Sequence, residues 1–543
     1  MSNNALKTVN YRNPATPQTE KAVKGQKKNA AGGYTFVLTD FERAKRFVIL
    51  GSSDSYYTPG ATLAKENATA IRKVIDGGQS RELVDYVVDV STNGRAAKQQ
   101  PGLFALALAS SFGTTEEKQY ALSKLPEVAR TGTTLFEFVT FALQFRSWGR
   151  ALKNAVAKWY TEKDVDKLAY QMVKYQNREG WSHGDILRVT HPKGSEYFDA
   201  LAKWSLNKNL SATEETLLPS VVHGYEVAKT VEGKDLTRAI GEYGLTWEMI
   251  PNDKRTEDVW KTLVTSMPLG ALLRQLPTLT RKNVLTPLSN ELRSVTARFA
   301  DAENVKRARL HPIQILLALK TYESGGRYSR GSNTWTPVQQ VVAALEKAFY
   351  LSFDNVEPMG KRILLGVDVS PSMGTSINDS ALTSYEAVGA LAMQFVKTEP
   401  QTHAVAFASE ARSPYGYGRG HGVMPLNINA GQSLSQVLNT MQGFRSTWAG
   451  TDCALPMLHA LENKIPVDVF FVLTDNDTWA GSIHPHEALN RYRREMGIDA
   501  KLVVLSTYAS RNTIADPNDD KSLDIAGFDT SVPSVIKTFV EGF

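Results

Sequence analysis

The chain has 543 residues, 42% of them hydrophobic and 22% charged, a globular balance that excludes a wholly disordered or collagen-like molecule and predicts two to four domains. Cys453 is its one cysteine, so no intramolecular disulfide can form, which suits a reducing compartment, and no stretch reaches the roughly 20 apolar residues of a membrane-spanning helix. The net charge of +6 hides an asymmetry: residues 361–543 carry 14 Lys+Arg against 19 Asp+Glu, net −5, which leaves +11 on residues 1–360. A basic first part fits a polyanion partner such as nucleic acid or an acidic membrane surface, and equally an ordinary solvated surface.

Residues 1–33 are rich in Asn, Lys, Thr, Pro and Gly, with Lys21, Lys24, Lys27 and Lys28 close together, and predict a mobile basic arm. The start, MSNNALKTVNYRN, lacks the charged-then-apolar pattern of a secretory signal, so a cytoplasmic location is expected. Residues 34–360 read as helical almost throughout, as in FERAKRFVIL, RELVDYVVDV, LFALALASSF, TLFEFVTFALQF and HPIQILLALKTY, where apolar residues recur at three- and four-residue spacing. A stack of helical hairpins is the expected architecture, although no fixed-period signature marks a repeat.

From 361 to 543 the texture changes to short apolar runs alternating with helical segments. Strands are predicted at Arg362–Val369, His403–Ala408, Val467–Thr474 and Lys501–Thr507, and helices near Ala381–Lys397, Ser433–Met441, Leu455–Lys464 and His486–Met496. This alternation predicts an α/β doubly wound domain with a mostly parallel sheet and a site at the carboxyl ends of its strands.

The first of these strands runs into Asp368-Val369-Ser370-Pro371-Ser372, a carboxylate and two hydroxyls at alternate positions. Thr451 lies in GTDCALP ahead of a helix, and Asp475 ends the apolar run FFVLTD. Hard oxygen donors of this kind form an incomplete cage suited to Mg²⁺, which keeps several waters. Loop and N-cap chemistry explains any one of these residues equally well; the five together point to a metal. The pattern D-x-S-x-S with a distant Thr and a later Asp resembles the metal-ion-dependent adhesion site of von Willebrand factor A domains, and Asp368, Ser370, Ser372, Thr451 and Asp475 match it. That resemblance implies a divalent ion, most often Mg²⁺, reached by Asp475 through water, with an open position for an acidic partner group. A hydrolytic metal would need a general base, and nearby Asp452 and Asp477 have no obvious partner for that role. His484 and His486 flank Pro485 at a spacing that suits surface capping better than zinc, since no third ligand is apparent.

In the basic part, Glu162–Arg178 placed on one helix separates Val165, Leu168, Ala169, Met172, Val173 and Gln176 from Lys163, Lys167, Gln171, Lys174 and Arg178. The preceding helix likewise turns Leu152, Ala155, Val156 and Trp159 inward and Arg150, Lys153, Asn154 and Lys158 outward. Ser182-x-x-Asp185 then starts a short helix carrying Arg188 and closed by His191-Pro192. These elements gather Lys174, Arg178, Arg188 and His191 around one turn, with Arg150 and Lys153 alongside. A solvated helix face, and cations favoured in a last helical turn, account for the same residues without any ligand. Tyr175 and Trp181 suit either a core or stacking on unpaired bases.

The blocks VKYQNREGWSHGDILRVTHPK, FERAKRFVILGS, RARLHPIQILLALKTYESG and AFYLSFDNVEPMGKRILLGVDVSPSM together resemble the Ro 60 kDa autoantigen family, whose helical region is the TROVE module. The resemblance runs from about Gly33 to the end of the chain. It implies a monomeric ring in which HEAT-like helical hairpins are closed by the A domain. It also implies a non-enzymatic RNA-binding scaffold acting in RNA quality control, with single-stranded 3′ ends of misfolded RNAs in a basic central hole and Y-type small noncoding RNA on the outer surface. A 3′ exoribonuclease is the implied partner if the chain is bacterial, and no membrane partner is implied. Lys174, Arg178 and His191 match the family's RNA-contacting segment, whereas Gln176-Asn177 stands where more basic character is expected. The rival reading is a metal-dependent protein-interaction module with a peptide-binding helical solenoid.

Overall fold

Apolar residues at helical spacing bury themselves as the sequence predicts. In Ser80–Thr92, Leu83, Val84, Val87 and Val90 are buried along one stripe. Gln100–Ser111 is apolar nearly all round because it is enclosed, packing on Ser80–Thr92, Thr115–Ser123 and Gly132–Leu143. Capping boxes set several starts, among them Thr114 with Glu117 and Ser211 with Glu214. Packing is mostly between helices close in sequence: Ser220–Thr230 lies on Gly233–Tyr243, that on Glu257–Ser266, that on Asn290–Ala300, and that on Gln339–Leu351. This computed structural model describes residues 15–51, 60–96, 98–326, 333–353, 358–376, 382–409, 411–412, 419–420, 422–442, 450–507, 509–527 and 532–542. No helix among the described residues is long and apolar enough to cross a membrane.

The chain divides into two compact units, residues 68–352 and a second that joins the residues up to 67 to 353–543. The second holds a six-stranded sheet: β1 Ile363–Asp368, β2 Thr402–Phe407, β3 Val423–Pro425, β4 Val469–Thr474, β5 Lys501–Ser506 and β6 Ser522–Ala526. Their order is β6-β5-β4-β1-β2-β3, parallel except for the antiparallel edge strand β3. The four predicted strands are present within a residue or two of their expected ends, while β3, three residues ending in Pro425, is too short to read and β6 mixes polar with apolar residues. Every residue of β1 and β4 is buried, as two helix-covered faces require. The core between sheet and helices is built on Leu364, Phe407, Phe470, Val472, Met457, Leu489 and Tyr492.

The N-terminal segment departs from expectation. Residues 15–33, read as part of a free arm, are built into this second unit, and residues 1–14 lie outside the described residues. Lys21, Lys24, Lys27 and Lys28 are exposed as their charge demands, but Gln18, Gln26 and Asn29 of the same segment are buried and hydrogen-bonded. Composition registers the lysines and misses the register that points the amides inward. Residues 34–67 also belong to this second unit. Tyr34–Val37 pairs with Asn512–Thr513, and Arg46 of the helix Asp40–Leu50 bonds Asp524 and the carbonyls of Ser510 and Asn512.

Candidate functional site

The doubly wound order reverses between β1 and β4, and parallel sheets open a crevice at such a point. Asp368 is the last residue of β1 and Asp475 follows β4, so the register that pairs Val367 with Leu473 brings both carboxylates to one edge. Asp368, Ser370, Ser372, Thr451 and Asp475 are each 98% or more buried. Asp368 Oδ1 accepts from Ser370 N at 2.9 Å, Ser370 Oγ and Ser372 Oγ lie 3.1 Å apart, and Ser372 hydrogen-bonds Asp475. Thr474, which the sequence reading passed over although it directly precedes Asp475, donates from Oγ1 to Asp368 Oδ2 at 2.6 Å. Asn476 then turns the chain at φ 68°, a conformation Asn tolerates, and places Asp477 N 3.0 Å from Asp475 Oδ1.

Burial and the neighbouring Asp475 push the Asp368 carboxyl up to about 7, and burial raises Asp475 as well. Thr451 Oγ1 is buried without a hydrogen-bond partner. Buried carboxylates that share this corner with an unsatisfied hydroxyl form a donor set that a hard cation would complete. Among the described residues no group of three or more His, Cys, Asp and Glu is placed to hold a metal. His484 and His486 are buried rather than at the surface. His484 Nε2 lies 2.9 Å from the Glu20 carbonyl and Nδ1 3.3 Å from Gln26, while His486 packs edge-on to Phe36.

The basic elements lie in the helical unit. The helix expected over 162–178 spans Val165–Lys174, capped by Asp164, whose side chain accepts from Lys167 N. Glu179 (φ 53°) and Gly180 (φ 79°) form a tight turn that pairs Asn177–Arg178 with Trp181–Ser182, so Arg178 sits on a two-residue hairpin, not in the last helical turn. Leu168, Ala169, Met172 and Val173 are buried as predicted, but Gln171 turns toward Gly132, whose N donates to it at 3.1 Å, and Gln176 is exposed. Lys174 is folded under. Its side chain is 9% exposed, 3.8 Å from Glu248 and 3.3 Å from the Tyr170 hydroxyl. Burial disfavours its charge, yet Tyr175, Glu248 and Tyr170 outweigh that and hold its pKa above the ordinary lysine value.

Arg178, Arg188, His191 and Arg150 are exposed and Lys153 is half-buried. Ser182 and Asp185 form the predicted capping box of the helix His183–Thr190, which ends at His191 in a left-handed conformation. Asp185 also accepts from Arg188 at 3.1 Å, and Arg178 lies 3.5 Å from the buried Glu137 and 3.2 Å from Glu179. Helix Arg150–Thr161 packs on His183–Thr190, bringing its outer face alongside. Trp181 meets Trp148 edge to face at 5.9 Å. Beneath this surface lies His183, another residue the sequence reading passed over: its ring contacts Phe136 and the Tyr160 hydroxyl at 2.8 Å, and burial lowers its pKa to about 4.

A model of the TROVE domain matches residues 27–217 and 237–361, and one of the Ro60 vWA domain matches 362–540. The chain is 36% identical over 545 residues to the RNA-binding protein RO60 of Deinococcus radiodurans, covering 99% of each chain. It is 33% identical over 605 residues to the RNA-binding protein RO60 of Caenorhabditis elegans, covering 97% of this chain and 91% of the relative. The crystal structure of the Deinococcus radiodurans Ro (RSR) protein matches with a TM-score of 0.67 at 34% identity, over 93% of this chain and 99% of that one.

Proposed function

The chain belongs to the Ro60 family of TROVE and vWA proteins, and from that premise we propose that it binds RNA through the basic surface of its helical unit, without catalysing a reaction. The observation that carries this is the exposure of Arg178, Arg188 and His191 on one hairpin-and-helix element, linked through Ser182 and Asp185 and flanked by Arg150. Guanidinium groups there bond phosphate oxygens, which makes affinity salt-dependent. In this reading Y-type small noncoding RNA is held on the outer surface. Single-stranded 3′ ends of misfolded RNA enter the basic opening of a monomeric ring, and a 3′ exoribonuclease is the partner if the chain is bacterial. Asp368, Ser370, Ser372, Thr451 and Asp475 would hold Mg²⁺, which when bound supplies an open position for an acidic partner group.

The test is binding of a labelled RNA with a duplex and a 3′ single-stranded tail, compared with blunt duplex, over a salt series. Tail-dependent, salt-steep binding that weakens in Arg178→Ala/Arg188→Ala supports the reading. Equal or absent binding throughout overturns it in favour of a metal-dependent protein-interaction module.

A further inference from the structure

We propose that the N-terminal segment around Gln18 is a strap that positions the two loops carrying Thr451 and Asp475, so that ion loading of the A domain depends on residues more than 400 positions away in the chain. The proposal rests on the reading of Asp368, Ser370, Ser372, Thr451 and Asp475 as a metal site.

Gln18 is fully buried and each polar group of its amide is used. Nε2 donates to Asp452 Oδ1 at 2.7 Å and to the Ile483 carbonyl at 2.9 Å, and Oε1 accepts from the Thr478 hydroxyl. Its backbone is held as well, its N donating to the Gly481 carbonyl at 2.9 Å and its carbonyl accepting from Tyr34 N at 2.8 Å. The residues it touches are the neighbours of the ligands. Asp452 follows Thr451, Thr478 lies three residues after Asp475, and the Thr451 carbonyl accepts from Trp479 N and Ala480 N at 3.0 Å each. Thr478 Oγ1 also accepts from Cys453 N at 3.0 Å, so this one hydroxyl joins the strap to both loops. Asp452 Oδ1 accepts from Ala454 N at 3.0 Å as well as from Gln18, which ties the strap to the backbone that follows Thr451.

Other residues fasten the segment along its length. Asn29 Nδ2 donates to the Thr478 carbonyl at 2.8 Å, and the Glu20 carbonyl lies 2.9 Å from His484 Nε2. The fit leaves no room for side chains at two glycines: a Cβ on Gly33 would lie 2.1 Å from the Thr478 carbonyl oxygen, and one on Gly481 would lie 2.3 Å from Gln18 Nε2. Buried amides at such a seam fix geometry because each lost partner leaves another polar atom unsatisfied. Outer groups that orient ligands typically contribute 10- to 100-fold to metal affinity.

The test titrates the metal-free full-length protein with Mn²⁺, following free and bound ion by electron paramagnetic resonance. Asp368→Ala serves as the reference for the site itself. Gln18→Leu and the near-isosteric Thr478→Val are expected to weaken Mn²⁺ binding about tenfold and to alter the bound-ion spectrum, whereas Thr478→Ser, which keeps the hydroxyl, retains wild-type affinity. Wild-type Mn²⁺ affinity in a Gln18→Leu protein that circular dichroism shows folded overturns the strap. If Gln18→Leu fails to fold, wild-type affinity in Thr478→Val overturns it. Equal binding by wild type and Asp368→Ala instead sinks the metal reading, and the strap with it.

Discussion

The A-domain loops and the basic surface of the helical unit are both made of polar side chains, and burial makes them different objects. At the loops, Asp368 and Asp475 are enclosed, and their carboxylates accept from Ser370 N, Thr474 Oγ1 and Asp477 N, while Thr451 Oγ1 is left without a partner. On the helical unit, Arg178 and Arg188 stand about half exposed beside Glu179 and Asp185. The exposed Arg188–Asp185 pair contributes about 0–1 kcal/mol, so a phosphate can take that guanidinium from its carboxylate at little cost, while Arg178 also neighbours the buried Glu137. Buried polar groups therefore specify one geometry suited to a small ion, while exposed ones leave cations available to a large, variable polyanion.

The comparison breaks most completely at Asp368. Asp368→Ala is expected to lower divalent-ion affinity by on the order of 100-fold or more while leaving RNA affinity unchanged, as measured by Mn²⁺ titration and RNA binding on the same preparation. If the wild type binds such an ion, its affinity is expected to rise with pH through about 7, where the Asp368 carboxyl loses its proton, as the same titration at about pH 6 and pH 8 would show.

His183 shows that burial, not the choice of domain, sets the behaviour. Its folded pKa of about 4 lies below the ordinary 6.5, so between those values the unfolded chain binds the extra proton and stability is lost as pH falls. The loss amounts to about 3 kcal/mol on full passage through that window. Chemical denaturation at pH 7 and pH 4.5 should show a smaller acid loss in His183→Phe than in the wild type.

At the exposed surface the effects are smaller. Arg178→Ala/Arg188→Ala should cost about tenfold in RNA affinity and reduce the slope of log affinity against log salt by about two, with the thermal midpoint unchanged. Lys174→Ala sharpens the contrast. Because this ammonium is spent on Glu248 and Tyr170, its removal should change RNA affinity by less than about threefold and instead lower stability by about 1 kcal/mol, seen as a lower melting temperature.

Much of the design is legible in one dimension. Apolar period alone placed Ser80–Thr92 and Gly132–Leu143 as helices, and β1 and β4 as buried strands, because a core selects residues by a local repeat. The placement of Asp368 and Asp475 at the ends of buried strands was legible because an apolar run that stops at a carboxylate marks where a strand leaves the core. Periodicity failed at Arg178, where the Glu179-Gly180 turn ended the helical pattern four residues early, and at Lys174, whose partner Glu248 is remote in sequence. Thus the sequence by itself determined the two-part architecture, its basic and acidic halves and the oxygen-donor set. Tertiary structure alone decided which cations face solvent, that Thr474 closes on Asp368, and that Gln18 bonds Asp452 ahead of β4 and Thr478 beyond it. Those outcomes depend on hydrogen bonds between residues far apart in the chain, whose partners are chosen by packing and leave no periodic trace.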